Sequence, residues 1–323
     1  MATSVRFHDD LQPAGPSLRD AALAGLAATP KAIAPKFFYD RRGSELFERI
    51  CQQPEYYLTR TEEAILAAAA NDLAGRVGQG GELVELGSGA SRKVRLLLDA
   101  LRPARYLAID LSTDFLLSST QRLAADYPWL EVSAACLDYS QGLRLPGEFT
   151  LTRPLLFFPG SSIGNFAPEQ ALAFLQHLHA LLPAGGALLV GVDLPKDKAV
   201  LEAAYNDAAQ VTKAFNLNLL ERLRETLACD IDPSRFEHRA FFDEAESCIE
   251  MHLVSREPQE VTLEGRTFRF EAGESLLTER SYKYSVEGFT ALGRRAGFVP
   301  AAVWTDPQRL FSVHLLRREA PGA

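Results

Sequence analysis

Cysteine is scarce. The 323 residues hold four, Cys51, Cys136, Cys229 and Cys248, scattered and never in a CxxC pair, which excludes a disulfide scaffold and a structural zinc site. Long hydrophobic runs are missing too. The apolar stretch 187–192 is among the longest, far short of the roughly 20 residues that a bilayer-spanning helix needs. The opening residues carry no apolar signal core. Positive charge is not in excess: 34 Lys and Arg face 42 Asp and Glu, for a net charge of -8, and a surface built to grip phosphate backbones would need the reverse. These absences predict a cytoplasmic protein that works on a small molecule, without nucleic acid or membrane as partner; a monomer is expected. No metal is expected either, because the one close histidine pair, His177 and His179, sits at i,i+2 in an apolar helix pattern, where side chains face apart.

What is present is an ordinary globular composition, 47% hydrophobic and 24% charged, in a chain long enough for two domains. The first thirty residues, rich in Ala, Pro and polar side chains, predict a segment lying along a surface. Thr59, Arg60, Thr61 and Glu62 have the spacing of a capping box before a helix. From about residue 81 short apolar strands alternate with helices, at 83–86, 106–109, 132–137, 155–158 and 187–192, the pattern of a parallel sheet with crossover helices. One long helical periodicity then runs from Leu201 to Leu227. Alternating segments at 236–242, 248–254, 267–270 and 279–285 predict antiparallel strands. A last helix near 286–296 and strands at 299–304 and 311–316 complete the main sheet. The expected organisation is a helical region over 1–75 contributing to a substrate domain, a Rossmann-like core over 76–195, an inserted α+β substrate-binding domain over 196–285, and completion of the core over 286–323.

In open α/β sheets ligands bind beyond the C-terminal ends of the strands. The first strand ends in Glu85-Leu86-Gly87-Ser88-Gly89, where glycines allow a tight turn and close approach of a ligand to the backbone. Asp110 ends the second strand about 20 residues later, the spacing at which a carboxylate meets ribose hydroxyls. Ser112 stands ready to cap the following helix. Asp138 and Tyr139 end the third strand, an acid for an adenine amino group and an aromatic ring to stack on the base. A dinucleotide dehydrogenase shares these features but needs a third glycine where Arg92 stands. Glu85 also repels a pyrophosphate while suiting the ammonium of a methionine moiety. S-adenosyl-L-methionine is therefore the expected cofactor, leaving as S-adenosyl-L-homocysteine. The fourth strand runs into Phe158-Pro159-Gly160-Ser161-Ser162-Ile163-Gly164-Asn165. That loop lacks the Asp/Asn-Pro-Pro-aromatic tetrad of nucleic-acid amino methyltransferases.

From about Lys36 to Leu316 the sequence closely resembles the L-histidine Nα-methyltransferases of ergothioneine biosynthesis, which form the betaine hercynine. The resemblance rests on Phe38-Tyr39-Asp40, Gly43-Ser44-Glu45-Leu46-Phe47, Pro54-Glu55-Tyr56-Tyr57-Leu58-Thr59-Arg60, the Glu85 turn, the loop from Gly160 to Asn165, Ala204-Tyr205-Asn206-Asp207, Ile249-Glu250-Met251 and Thr278-Glu279-Arg280-Ser281. It implies a class I methyltransferase with a seven-stranded, mostly parallel sheet. It implies further that Gly87, Lys93, Asp110, Asp138 and Tyr139 hold the cofactor, and that Phe47, Tyr56, Gly160, Asn165, Tyr205, Met251, Glu279 and Ser281 line a histidine pocket, with Tyr39 and Asn165 nearest the chemistry. Leu58 departs from the family's usual proline, and Val94 from its frequent threonine. Chemically, Asn165, Tyr56 and Tyr205 suit an amino-acid head group. Glu279 and Ser281, two apart on a strand, share a face, and a carboxylate there accepts from an imidazole N–H. Two other readings stay open: Nα-methylation of another amino acid such as tryptophan, and a non-enzymatic module that keeps the cofactor fold as a scaffold.

Overall fold

A computed structural model describes residues 5–8, 15–143, 145–147 and 149–319, with the side chain of Gln141 excepted. Most of the opening segment (1–4 and 9–14) and the last four residues (320–323) lie outside the described residues. The chain divides into two compact units. The first holds residues 5–8, 58–195 and 283–319, the second 15–57 and 196–282. The helix Tyr57–Val77 thus falls almost wholly in the first unit, whereas its sequence position places it with the second.

The first unit is built on one sheet in the order Arg6–His8, Glu131–Cys136, Arg105–Asp110, Glu82–Leu86, Pro154–Phe158, Ala187–Asp193, Phe311–Arg317, Val299–Thr305. The first six pair in parallel, and the last two add antiparallel. The sheet has eight strands rather than seven, because Arg6–His8, expected merely to follow the surface, pairs with Glu131–Cys136 and covers an edge that would otherwise stay unpaired. The strands Glu82–Leu86, Pro154–Phe158 and Ala187–Asp193 are buried at every residue, as a parallel sheet with helices on both faces requires. Val84, Leu107, Leu156 and Val190 sit in this core against Phe174 and Leu178 of the helix Pro168–Leu181. The order reverses at Glu82–Leu86, which has Arg105–Asp110 on one side and Pro154–Phe158 on the other. This switch point leaves a crevice at the strand ends.

The second unit has a four-stranded sheet, Lys31–Ala32, Ser275–Tyr282, Cys248–Ser255, Phe236–Asp243, and a hairpin of Gln259–Leu263 with Arg266–Phe270. The expected strand at 279–285 begins earlier and ends at Tyr282. The expected long helix is two, Lys198–Tyr205 and Val211–Leu227. Between them Asp207 accepts from the N–H groups of Val211 and Thr212, at 2.7 and 2.8 Å, and so starts the second helix. Among the described residues no helix is long and apolar enough to cross a membrane.

Candidate active site

In the first unit the strand Glu82–Leu86 delivers Gly87 at φ 71 and Gly89 at φ 49, left-handed conformations natural to glycine. A Cβ on Gly87 would lie 3.0 Å from the Tyr139 hydroxyl. The Tyr139 ring packs on Phe158 and Phe174, with centroids 5.7 and 6.1 Å away, which fixes the hydroxyl beside the turn. Asp138 accepts from Ser140 N–H at 2.9 Å and so shapes the short 3-10 turn Tyr139–Gln141.

Asp110 holds the turn together. Its Oδ2 accepts from Gly89 N–H at 2.8 Å, and its Oδ1 from Leu111 and Ser112 N–H at 2.7 and 3.2 Å. The Ser112 side chain makes no cap bond, contrary to the sequence expectation. A carboxylate offers about four lone-pair sites, so this local work leaves capacity for ribose hydroxyls. Burial raises the Asp110 carboxyl above its ordinary range, against the three backbone donors.

Glu85 is buried and accepts from Tyr106 Oη at 2.5 Å. Burial is the main cause that pushes its carboxyl up to about 8. The Tyr106 hydrogen bond and the Lys93 charge oppose the shift, and the nearby Asp110 and Glu62 carboxylates add to it. With Glu62 paired to Lys93, the buried acids Glu85 and Asp110 remain at the turn, and a cationic ligand, which favours their carboxylate forms, suits them where a pyrophosphate does not. Ser88 Oγ, buried in the same turn, has no hydrogen-bond partner, and an orphaned hydroxyl of this kind calls for a ligand atom. These features fit S-adenosyl-L-methionine.

Glu62 is a buried residue of this site that the sequence pattern hid. The expected capping box does not form, because the helix begins at Tyr57 and Thr59 is already inside it. Glu62 instead points inward, fully buried, and its Oε2 lies 2.7 Å from Lys93 Nζ and 2.8 Å from Gly160 N. Gly160 has φ 80, and Ser161 beside it is held at φ 57, strain of the sort that gathers at functional loops. Ser161 Oγ accepts from Asp193 N–H at 2.9 Å, and Asp193 forms a fully buried ion pair with Lys283 at 2.8 Å. Asn165 ends the 3-10 turn Ser162–Asn165 in this loop. His177 and His179 do face apart: His177 Nε2 meets Leu143 N–H at 2.9 Å, and His179 stands edge-on to Phe298.

In the second unit the aromatic residues form one continuous group. Tyr39 lies 5.7 Å from Phe47, Phe47 6.3 Å from Tyr56, and Tyr56 6.3 Å from Tyr205, all edge-to-face. Phe215, which the sequence marks only as one apolar helix position, supports Tyr39 and Phe47 from the helix Val211–Leu227 at 5.6 and 6.0 Å. Asp40 Oδ1 caps the helix Arg41–Ile50 at Gly43 N–H and accepts from Asn218 Nδ2, so Tyr39 and Phe47 flank a fixed backbone. The Tyr205 hydroxyl donates to Ser281 Oγ. Glu279 pairs in register with Met251 just after a bulge at Leu277/Glu279, and bulges re-aim side chains. There Thr278 Oγ1 lies 2.7 Å from Asn216 Oδ1 and 3.0 Å from the Met251 carbonyl, two acceptors for its one proton. Burial above all, then Tyr205, Cys51, Tyr39 and Glu279, push the Tyr56 phenol well above its ordinary range, so it stays neutral.

The structure thus gathers Tyr39, Phe47, Tyr56, Tyr205, Met251, Glu279 and Ser281 in the second unit. It gathers Gly87, Lys93, Asp110, Asp138, Tyr139, Gly160 and Asn165 in the first. A mostly parallel sheet with an acidic switch-point turn and no third glycine is the nucleotide fold of class I S-adenosylmethionine-dependent methyltransferases. Within that class the chain belongs to one family, whose model, described as "Histidine-specific methyltransferase, SAM-dependent", matches residues 18–318. It is 41% identical to a histidine N-alpha-methyltransferase of Mycolicibacterium smegmatis over 98% of this chain and 100% of that one. It is 38% identical to a protein of the same name from Mycobacterium tuberculosis over 98% and 99%. An "Ergothioneine biosynthesis protein 1" of Neurospora crassa is 30% identical over 90% of this chain and 33% of its own length.

Proposed function

We propose that this chain converts L-histidine to hercynine, transferring three methyl groups in turn from S-adenosyl-L-methionine to the α-amino nitrogen as the first step of ergothioneine biosynthesis, and that it acts as a cytoplasmic monomer. The observation that carries the substrate is the aromatic group of the second unit. A neutral Tyr56 phenol and the Tyr205–Ser281 hydroxyl pair supply uncharged donors and acceptors for an amino-acid head group, and Glu279, close enough to act on Tyr56, supplies one carboxylate for an imidazole N–H. An apolar side chain in place of the imidazole would forgo that hydrogen bond. The names of the relatives from Mycolicibacterium smegmatis and Mycobacterium tuberculosis support histidine as substrate, and that of the Neurospora crassa relative supports the pathway.

When bound, S-adenosyl-L-methionine would supply its sulfonium methyl group to the lone pair of a neutral amine in line, with the thioether S-adenosyl-L-homocysteine as the leaving group. In this reading Gly87, Lys93, Asp110, Asp138 and Tyr139 orient the cofactor. Gly160 and Asn165, with Tyr56, Tyr205, Met251 and Ser281, orient histidine, and positioning is the main source of rate. Before each transfer the ammonium loses a proton to water, directly or by way of the Tyr39 and Asn165 neighbourhood. After the third transfer nitrogen has no N–H left to donate. The faces of Tyr39 and of Phe47 or Tyr56 suit such a quaternary cation, each contributing on the order of 0.5–2 kcal/mol.

Calorimetry tests the reading against a scaffold role. Histidine should bind substantially tighter in the presence of S-adenosyl-L-homocysteine than in its absence. Binding of neither ligand, or of each without effect on the other, contradicts it.

A further inference from the structure

The strand Ala187–Asp193 reads Ala-Leu-Leu-Val-Gly-Val-Asp and is buried throughout. A glycine in its middle weakens a strand and needs a reason. Gly191 is not among the residues with positive φ, so backbone conformation does not require it. Space does: a Cβ at Gly191 would lie 1.9 Å from Glu62 Oε1. The strand gives up a side chain to make room for a buried carboxylate. Such a group is costly inside a protein unless fully paired.

The pairing shows what the carboxylate is for. Glu62 Oε2 lies 2.7 Å from Lys93 Nζ, in the first turn of the helix that follows the glycine turn. The Gly160 N–H, in the loop after Pro154–Phe158, donates to the same carboxylate, 2.8 Å from Oε2 and 3.1 Å from Oε1. One side chain thus ties the lysine of the cofactor turn to the backbone of the neighbouring loop. An ammonium carries three donors, so Lys93 can serve Glu62 and a ligand carboxylate together.

We propose that Glu62 is a positioning residue that fixes Lys93 for the cofactor and the Gly160 loop for the amino acid through a single carboxylate, with Gly191 as the space it requires. The proposal rests on the assignment of Lys93 to the cofactor. Glu62 touches neither ligand and acts through Lys93 and the Gly160 amide.

The two links are separable. Glu62→Gln keeps the size of the side chain and an acceptor for the Gly160 amide but removes the ion pair. Glu62→Ala removes both. By calorimetry, Glu62→Gln should weaken S-adenosyl-L-homocysteine binding about tenfold, the scale of a lost charge-assisted hydrogen bond. The double variant Glu62→Gln/Lys93→Met should bind no worse than Lys93→Met alone. In the ligand-free protein, amide exchange at Gly160 should stay near wild type in Glu62→Gln and rise about tenfold in Glu62→Ala. Three results would overturn the proposal: Glu62→Gln binding within about twofold of wild type, losses that multiply in the double variant, or Gly160 exchange unchanged in Glu62→Ala. If Glu62→Ala does not fold, the near-isosteric Gln variant and the double variant still decide. If Lys93→Met binds like wild type, the cofactor assignment of Lys93 fails instead, and the exchange measurement still judges the Gly160 link.

Discussion

The Tyr205 hydroxyl donates to Ser281 Oγ at 3.0 Å, and both side chains are buried. The bond joins the end of the helix Lys198–Tyr205 to the strand Ser275–Tyr282. It therefore holds two proposed histidine ligands in one orientation. Replacing Ser281 by Ala removes this hydrogen bond, at a cost of about 0.5–1.5 kcal/mol in unfolding free energy. The KM for histidine should rise more than kcat falls. Denaturant titration and steady-state kinetics check both, and values unchanged within error would reduce the pair to packing.

Glu279 is the one proposed histidine ligand that carries a charge. Its replacement by Gln should lower kcat/KM for histidine by about 10–100-fold, the range expected for a hydrogen bond to a charged group. Full activity in this variant would remove the imidazole contact and favour another amino acid as substrate.

The acidic turn makes a pH prediction. Burial holds the Glu85 carboxyl at about 8 against an ordinary 4.5. Between those values the folded protein keeps a proton that the unfolded chain has lost, so this group's contribution to stability falls as pH rises through the window. Glu85→Gln should flatten that slope in the ligand-free protein. A cationic cofactor favours the carboxylate, so binding at pH 7 should release up to about one proton. Calorimetry in two buffers of different ionisation enthalpy measures the release, which should vanish in the Gln variant. Release that persists there would assign the proton to another group.

The sheet was legible in the sequence because parallel strands buried on both faces must be short apolar runs, and the turn from Glu85 to Gly89 was legible because close approach to a backbone demands glycine. Periodicity carried no sign of the break near Asp207, since apolar spacing continues across it and only the side-chain cap on Val211 and Thr212 ends one helix and starts the next. Glu62 was misread for a related reason: its spacing from Thr59 satisfies a local motif, while its partners Lys93 and Gly160 are distant in sequence. The signal that would have found it is Gly191, an unexplained glycine in a buried strand. Phe215 was hidden because an apolar helix position looks the same whether it fills a core or backs a binding group. The aromatic residues themselves are singled out only by resemblance, since single tyrosines carry no pattern.

In the proposed reaction three methyl groups go to the α-nitrogen of histidine. Each of the twenty common amino acids, incubated separately with the protein and S-adenosyl-L-methionine, should be followed by mass spectrometry. Histidine alone should gain three methyl groups, with fragmentation placing all of them on the α-nitrogen. Methyl groups on the imidazole ring, the same product from tryptophan or another amino acid in place of histidine, or no transfer at all would contradict the account.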